Sequence, residues 1–502
     1  MTPAARLAAA ASVLDSIAQG RQPAEAVLKA WGQANRYAGS KDRKAIADRV
    51  YKVLRARARL SWAMGGREDG RALVIGSLSL IDGLALDEIE ALHSGDGYGP
   101  RPLSKQERSR LTAAGEGDLP GWVAAGLPAF VVEDFKATFG DRWAEEAQGL
   151  MAPRAPIDLR VNTLKTDVAT ERAELAHVGL EATRTPWSPV GLRLASEPPP
   201  NIQATDAFRD GRIEIQDEGS QIVCALAGAA PGMTVVDYCA GGGGKTLGLA
   251  AAMFPSPLGG EGGSQRETDE GAVGDTPDHP ADETRDQPPH PSGSAAHLPP
   301  RGGKGRLIAS DVVQKRLDAI RPRLARAGVE AELRLLGQNG GGMEDLNGAA
   351  DLVFVDAPCS GSGTWRRRPE DAWRLTTDEV ARLHALQVRI LGQAAKLVRP
   401  GGRLIYVTCS MLAAENEASA DAFEAGHPEF RPVAMFAPPP LGEGDHPKDG
   451  GGGWSGLRSL GLAPSTASRS PSPDGGGMHR LRLSPASTNT DGFFAALYER
   501  SA

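Results

Sequence analysis

The chain has little cysteine, few aromatic residues, no net positive charge and no long uninterrupted apolar run, and each shortage excludes something. Its 502 residues carry four cysteines, Cys224, Cys239, Cys359 and Cys409, none in a Cys-x-x-Cys pair. That spacing argues against a disulfide framework or a cysteine zinc site and fits a reducing compartment, so a cytoplasmic protein without bound metal is expected. The most apolar stretch, Leu73 to Leu92, is interrupted by Asp82, Asp87 and Glu88, which makes it a soluble helix and not a membrane span. Asp15 likewise breaks the Ala-rich start that, with Arg6, imitates a signal peptide.

The net charge of −7 is misleading. Residues 255–300 hold nine acidic and two basic residues, and without them the chain has 54 of each sign. Within that neutral remainder the segment from Arg36 to Arg67 has ten Lys and Arg, including Lys41, Arg43 and Lys44, against two aspartates. A local basic face of this kind binds phosphates whatever the total charge. Its plainer reading is a solvated helix surface.

Gly 62 and Pro 37 are plentiful, but they concentrate in two stretches. Segments 255–303 and 438–477 are Pro/Gly-rich and poor in aromatics, and cannot bury enough apolar surface to fold. They share a near-repeat, PSPLGGEG at 255–262 and PPPLGEGD at 438–445. Both are expected to be disordered surface insertions. Elsewhere, apolar spacing predicts helices through residues 1–145, as in Val13, Leu14, Ile17, then Ala26, Val27, Ala30, Trp31, then Ile46, Val50, Val53, Leu54. Residues 146–205 read as a small α+β subdomain. From 206 to 502, short β-branched runs alternate with helices: 233–240, 305–311, 331–337, 351–358 and 402–410. Runs buried on both faces and separated by helices predict a parallel, doubly wound, Rossmann-like α/β sheet, with ligands at the carboxyl ends of its strands.

The suggestive residues sit at those ends. The first strand runs into Asp237, Tyr238, Cys239, Ala240, Gly241, Gly242, Gly243, Gly244, Lys245 and Thr246, a glycine turn opening a helix. A phosphate loop would need Gly where Cys239 stands. Asp311 ends the second strand, where an acid can accept from ribose hydroxyls or cap the next helix. Glycine turn plus acid suit an adenosyl ligand, pointing to S-adenosylmethionine without excluding NAD. The fourth strand ends in Asp356-Ala-Pro-Cys359 and the fifth in Thr408-Cys409-Ser410, followed by Glu415-Asn416-Glu417. Cytosine carbon 5 becomes nucleophilic only after a thiolate adds to carbon 6. A second group must then help remove the carbon 5 proton, and an acid must steady the ring. Two cysteines and an aspartate suffice for this, although free cysteines are often only small buried hydrophobes.

The motifs DYCAGGGGKT, DAPCSGSG with TWRRRPE, TCSMLAAENE and the closing DGFFAA resemble those of the Sun/RsmB-type RNA (cytosine-5)-methyltransferases, from about Arg160 onward. NRYAGSKDRKAIADRVYKVLR at 35–55 resembles the basic, NusB-like RNA-binding extension of some bacterial members. The resemblance implies a class I S-adenosylmethionine methyltransferase acting on RNA as a monomer, most naturally on 16S ribosomal RNA, with transfer RNA or a catalytically weak assembly factor as alternatives. It implies Cys409 as nucleophile, Cys359 in proton removal and release, and Asp356 on the cytosine. The residues 237 and 239–245 would hold the cofactor with Asp311, Gln338, Asn339 and Asp356, and Arg366, Arg367 and Arg368 would touch RNA phosphates. Two departures stand out. Gly242 replaces the family's usual Pro, which predicts a looser turn. Gln338 and Asn339 stand where an acid is usual, which predicts altered cofactor binding.

Overall fold

The structure, a computed structural model, describes residues 1–113, 118–151, 155–195, 201–254, 305–435 and 479–502. The insertions expected at 255–303 and 438–477 lie outside these residues.

Six helices, Pro3–Gln19, Ala24–Ala34, Ser40–Ala63, Gly70–Leu80, Leu86–Leu92 and Lys105–Ala113, enclose an apolar core containing Val13, Leu14, Ile17, Ile46, Val50, Val53 and Leu54. The periodic positions of the first and third helices are therefore buried. The second helix differs. Val27 and Trp31 are half-buried and Ala30 is exposed, because this helix lies against the outside of its neighbours. Further helices, among them Gly121–Ala125, Val132–Phe139 and Trp143–Met151, form a separate cluster around Phe135 that extends to Trp365, Met411 and Leu412.

A small antiparallel sheet follows, made of β1 (Asp158–Val161), β2 (Ala182–Arg184), β3 (Gly191–Leu194) and β4 (Ile213–Ile215) in the order β2-β3-β1-β4. Its fourth strand lies beyond residue 205, where the sequence pattern placed the end of this unit. Leu159 of β1 sits opposite both Leu192 and Ile215, so β4 belongs to the same sheet.

The large sheet is built from β5 (Thr234–Asp237), β6 (Arg306–Asp311), β7 (Glu332–Leu335), β8 (Ala350–Asp356), β9 (Val398–Thr408), β10 (Phe430–Pro432), β11 (Arg480–Leu483) and β12 (Phe493–Arg500). Its order is β10-β12-β9-β8-β5-β6-β7, with β11 also on β12. β7, β6, β5, β8 and β9 run parallel, and β12 pairs antiparallel with β9. Period-2 alternation sends Val235, Leu352, Phe354 and Val407 to one face and Val236, Val353, Val355 and Tyr406 to the other. Both faces are covered, as a parallel sheet requires. The order reverses at β5, which has β6 on one side and β8 on the other. The crevice of such a sheet opens at the carboxyl ends beside that strand.

Candidate active site

β8 and β9 are adjacent and parallel, so the two motifs that leave their carboxyl ends emerge side by side. The sulfurs of Cys359 and Cys409 lie 3.4 Å apart. Both residues are half-buried. The hydrogen bond to Cys409 is the main reason the Cys359 thiol is pushed well up, with burial and the nearby Cys409 and Glu415 charges adding to it.

One buried carboxylate fixes this pair. Glu415 is fully buried; the N–H of Ser360 donates to it at 2.8 Å and the Gln387 amide at 3.1 Å. Ser410 Oγ donates to its other oxygen at 2.6 Å, and Ser360 Oγ also donates there. Ser360 follows Cys359 and Ser410 follows Cys409, so Glu415 ties both cysteine loops to one point. A second tie is backbone: Gly363 N–H donates to the Cys409 carbonyl at 2.9 Å, and Gly492 N–H to the Gly363 carbonyl at 2.8 Å. A Cβ on Gly363 would lie 2.1 Å from the Gly492 carbonyl oxygen, so this approach requires glycine.

Beside the sulfurs, Lys245 Nζ donates to Asp356 at 2.7 Å and lies 5.3 Å from the centre of the Phe493 ring. Burial alone would favour losing the lysine proton, but the Asp356 charge and hydrogen bond outweigh it, and Cys409 adds to the effect. Lys245 is therefore held charged within electrostatic reach of the Cys409 sulfur.

The glycine turn is firm. Gly241 and Gly243 have φ of +55° and +78°, and a Cβ on Gly243 would meet Ile320 at 2.9 Å. Arg323 donates to the Gly242 carbonyl and, at 3.0 Å, to Glu214. The looser turn expected from Gly242 is thus braced from outside. Asp311 accepts from Gly241 N–H at 3.1 Å and Val313 N–H at 2.8 Å, and each oxygen keeps a second lone pair for a hydroxyl. Gln338 and Asn339 are exposed on the turn after β7, and the Asn339 carbonyl accepts from Gln393 at 2.8 Å. Ala240 N–H donates to Ser310, and Cys239, half-buried, has its thiol pushed well up by burial.

Three expected site residues are placed otherwise. Asp237 is fully buried and accepts from Thr246 Oγ1 at 2.6 Å, so it shapes the turn from within instead of facing a ligand. Burial, reinforced by the Asp356 charge, pushes its carboxyl up to about 7 despite that bond. Arg366 and Arg367 are corrected more sharply. Arg366 pairs with Asp491 at 2.7 Å and Asp217 at 3.2 Å, and Arg367 with Asp491 at 2.6 Å and Asp217 at 2.8 Å. Arg366 is buried and closed to a phosphate, while Arg367 is about a third exposed with two carboxylates already on it. Arg368 is about half exposed on an Asp371 pair. Lys41, Arg43 and Lys44 are exposed on helix Ser40–Ala63, Arg43 donating to the Ala38 carbonyl. Asp217, Asp491, Gln387 and Glu415 were missed as site residues. Glu415 stood in a motif, but only the fold shows what its carboxylate holds.

A parallel sheet reversing at β5, with a glycine turn, an acid and a reactive pair at its strand ends, is the class I methyltransferase fold. The profile described as "16S rRNA methyltransferase RsmB/F" matches residues 279–499, and that of an RsmF/B-like ferredoxin-like domain matches 127–200. Over those residues the chain is similar to this Sun/RsmB-type family. The ribosomal RNA small subunit methyltransferase B of Xanthomonas campestris is 29% identical over 60% of this chain and 57% of its own length. That of Xylella fastidiosa is 30% identical over 64% and 63%. The chain thus spans under two thirds of the length of these relatives. The crystal structure of PH0851 shares the fold over 100% of this chain and 99% of its own, at 22% identity and TM-score 0.66. A methyltransferase homolog from Pyrococcus horikoshii does so over 76% and 97%, at 24% identity and TM-score 0.50. No helix among the described residues is long and apolar enough to cross a membrane.

Proposed function

We propose that the chain methylates carbon 5 of cytosine in RNA, using S-adenosylmethionine, with small-subunit ribosomal RNA as substrate and the cytoplasm as its place of work. The observation that carries this reading is the 3.4 Å sulfur pair beside the Lys245–Asp356 ion pair. The relatives named for small-subunit RNA support the substrate.

Asp311, the backbone of residues 239–244, and Gln338 and Asn339 would hold the cofactor, which supplies an electrophilic methyl carbon. Cys409 attacks cytosine carbon 6 as thiolate, with the charged Lys245 held nearby. As the carbon–sulfur bond forms, the ring's electrons shift so that carbon 5 becomes the nucleophile, and Asp356 hydrogen-bonds the ring and polarises it. Once Cys409 is bonded to carbon, it loses both its charge and its capacity as hydrogen-bond partner. Those were two of the causes that kept the proton on Cys359, alongside burial and the Glu415 charge. The Cys359 thiol therefore gives up its proton to water more easily in the adduct, and its thiolate then takes the carbon 5 proton. The electron pair returns to the ring, and Cys409 leaves.

Purified protein is mixed with labelled S-adenosylmethionine and small-subunit RNA from cells lacking the gene. Cys409→Ala is expected to transfer no label and form no adduct, whereas Cys359→Ala accumulates adduct. Exchanged phenotypes would reverse the two roles. Absence of label with wild type at every concentration would remove the activity.

A further inference from the structure

The segment Arg366–Thr376, which follows the Pro-Cys motif, docks on the helical N-terminal region. Arg374 donates to the carbonyls of Ile17 and Gln22 at 2.8 and 2.9 Å, Trp373 Nε1 to Leu54 at 2.9 Å, and Ala24 N–H donates to Glu370 at 2.9 Å. This docking leaves a cavity of about 540 Å³ that the mechanism does not use. Pockets that bury a small ligand span roughly 300–1,000 Å³. Cys359 and Ser360 line it on the catalytic side, and Gln19, Gly20 and Arg21 from the end of the first helix on the other. Cys409 and Asp356 do not line it. The cavity therefore adjoins the reacting pair from the Cys359 side and is not the seat of the ring on which both sulfurs act.

Its wall charges are unequal. Asp371 pairs with Arg368 and Arg374, and Glu379 with Arg382. Arg21 is exposed and makes no hydrogen bond or ion pair among the described residues. It reaches Glu379 only through space, adding slightly to the Arg382 bond that keeps that carboxyl low. The indole N–H of Trp373 is occupied by Leu54, so the ring can offer the cavity only its apolar surface.

We infer that this cavity is the subsite for the nucleotide adjoining the target cytidine on single-stranded RNA, a reading that rests on the function proposed above. The base lies against Trp373, and its phosphate meets Arg21. Unpaired bases are bound in this manner, by aromatic faces together with cationic side chains along the strand. The helical region thereby supplies part of the active-site wall in addition to any general attraction for RNA.

The test uses the full chain and a readout independent of methyl transfer. Alkylation of Cys359 by iodoacetamide is followed by peptide mapping, with oligocytidylate added as protectant. Wild type is expected to be protected, and Arg21→Glu, which removes the phosphate partner, to need at least tenfold more oligonucleotide. Gln19→Trp, which fills the mouth without changing charge, should do the same. Equal midpoints in all three proteins, or no protection of wild type, would overturn the subsite. Normal protection in wild type that weakens in both variants, combined with no methyl transfer to RNA, keeps the nucleotide subsite and overturns the proposed reaction instead.

Discussion

Glu415 and Asp237 are both buried carboxylates, and their neighbours give them opposite behaviour. Glu415 accepts from one backbone N–H, one amide and two hydroxyls. Glu415→Ala leaves those donors without an acceptor, and removing one partner from a buried charged network costs roughly 3–5 kcal/mol. Urea unfolding should show that loss, together with a collapse of any adduct yield, because the loops of both cysteines lose their common anchor. Asp237 has one hydroxyl donor and an oxygen, Oδ1, that is buried without a partner. Its carboxyl, pushed up to about 7 in the folded protein, titrates near 3.9 when unfolded. Between those values the folded state holds a proton that the unfolded state has lost, so stability falls as pH rises from about 4 to about 7. Above 7 both states are ionised and the slope ends. Asp237→Asn removes this group, so the variant should gain on wild type across that window by roughly 2–4 kcal/mol, at about 1.4 kcal/mol per pKa unit. A constant difference between pH 4.5 and 8 would contradict it. The strand-end cysteines were legible because a parallel sheet delivers its carboxyl ends to one crevice. Arg366 and Arg367 were not, because nothing in a run of three arginines reveals Asp217 and Asp491, which are remote in sequence.

At the scale of elements, the helical region and the strand-end loops are joined through short polar contacts. Arg374 is central, since its guanidinium serves two carbonyls at the turn between the first two helices. Charged hydrogen bonds contribute about 1.5–3 kcal/mol each, so Arg374→Ala should raise the open population of that turn by at least about tenfold. Arg21 and Gln22 are exposed there, which makes trypsin cleavage after Arg21 the measurement. An unchanged rate would show that the turn is held by other contacts. Such long-range polar joints explain what periodicity could and could not give. Periodicity identified the helices and the parallel strands because burial imposes a repeat of 3.6 or 2. It placed the end of the small sheet too early, because β4 (Ile213–Ile215) is three residues long and too short to show alternation. It found the second helix but not its exposure, since its apolar side lines a groove with Leu28, Trp31 and Tyr51.

For the whole molecule, the useful quantity is how many cations remain for RNA after internal pairing. Of the ten basic residues between Arg36 and Arg67, Arg49 and Lys52 pair with Asp82, Arg57 with Glu68, and Arg67 with Asp69, while Arg55 donates to the Arg366 carbonyl. Half of the basic stretch is therefore structural, which is the solvated or paired face that composition alone could not separate from a binding face. Arg36, Lys41, Arg43, Lys44 and Arg59 are exposed and make no ion pair among the described residues. Each phosphate contact on a single strand contributes roughly 0.7 to the slope of log affinity against log salt. If Arg36, Lys41, Arg43 and Lys44 act together, replacing all four by Gln should lower that slope by up to about 3. Replacing Arg49, whose charge is already met by Asp82, should leave it nearly unchanged. Fluorescence anisotropy of a labelled ribosomal RNA fragment across a salt series separates the two sets. Equal slopes for wild type and the fourfold variant would mean that the helical region acts only through the wall it lends to the cavity above Cys359, and that the phosphates are met elsewhere.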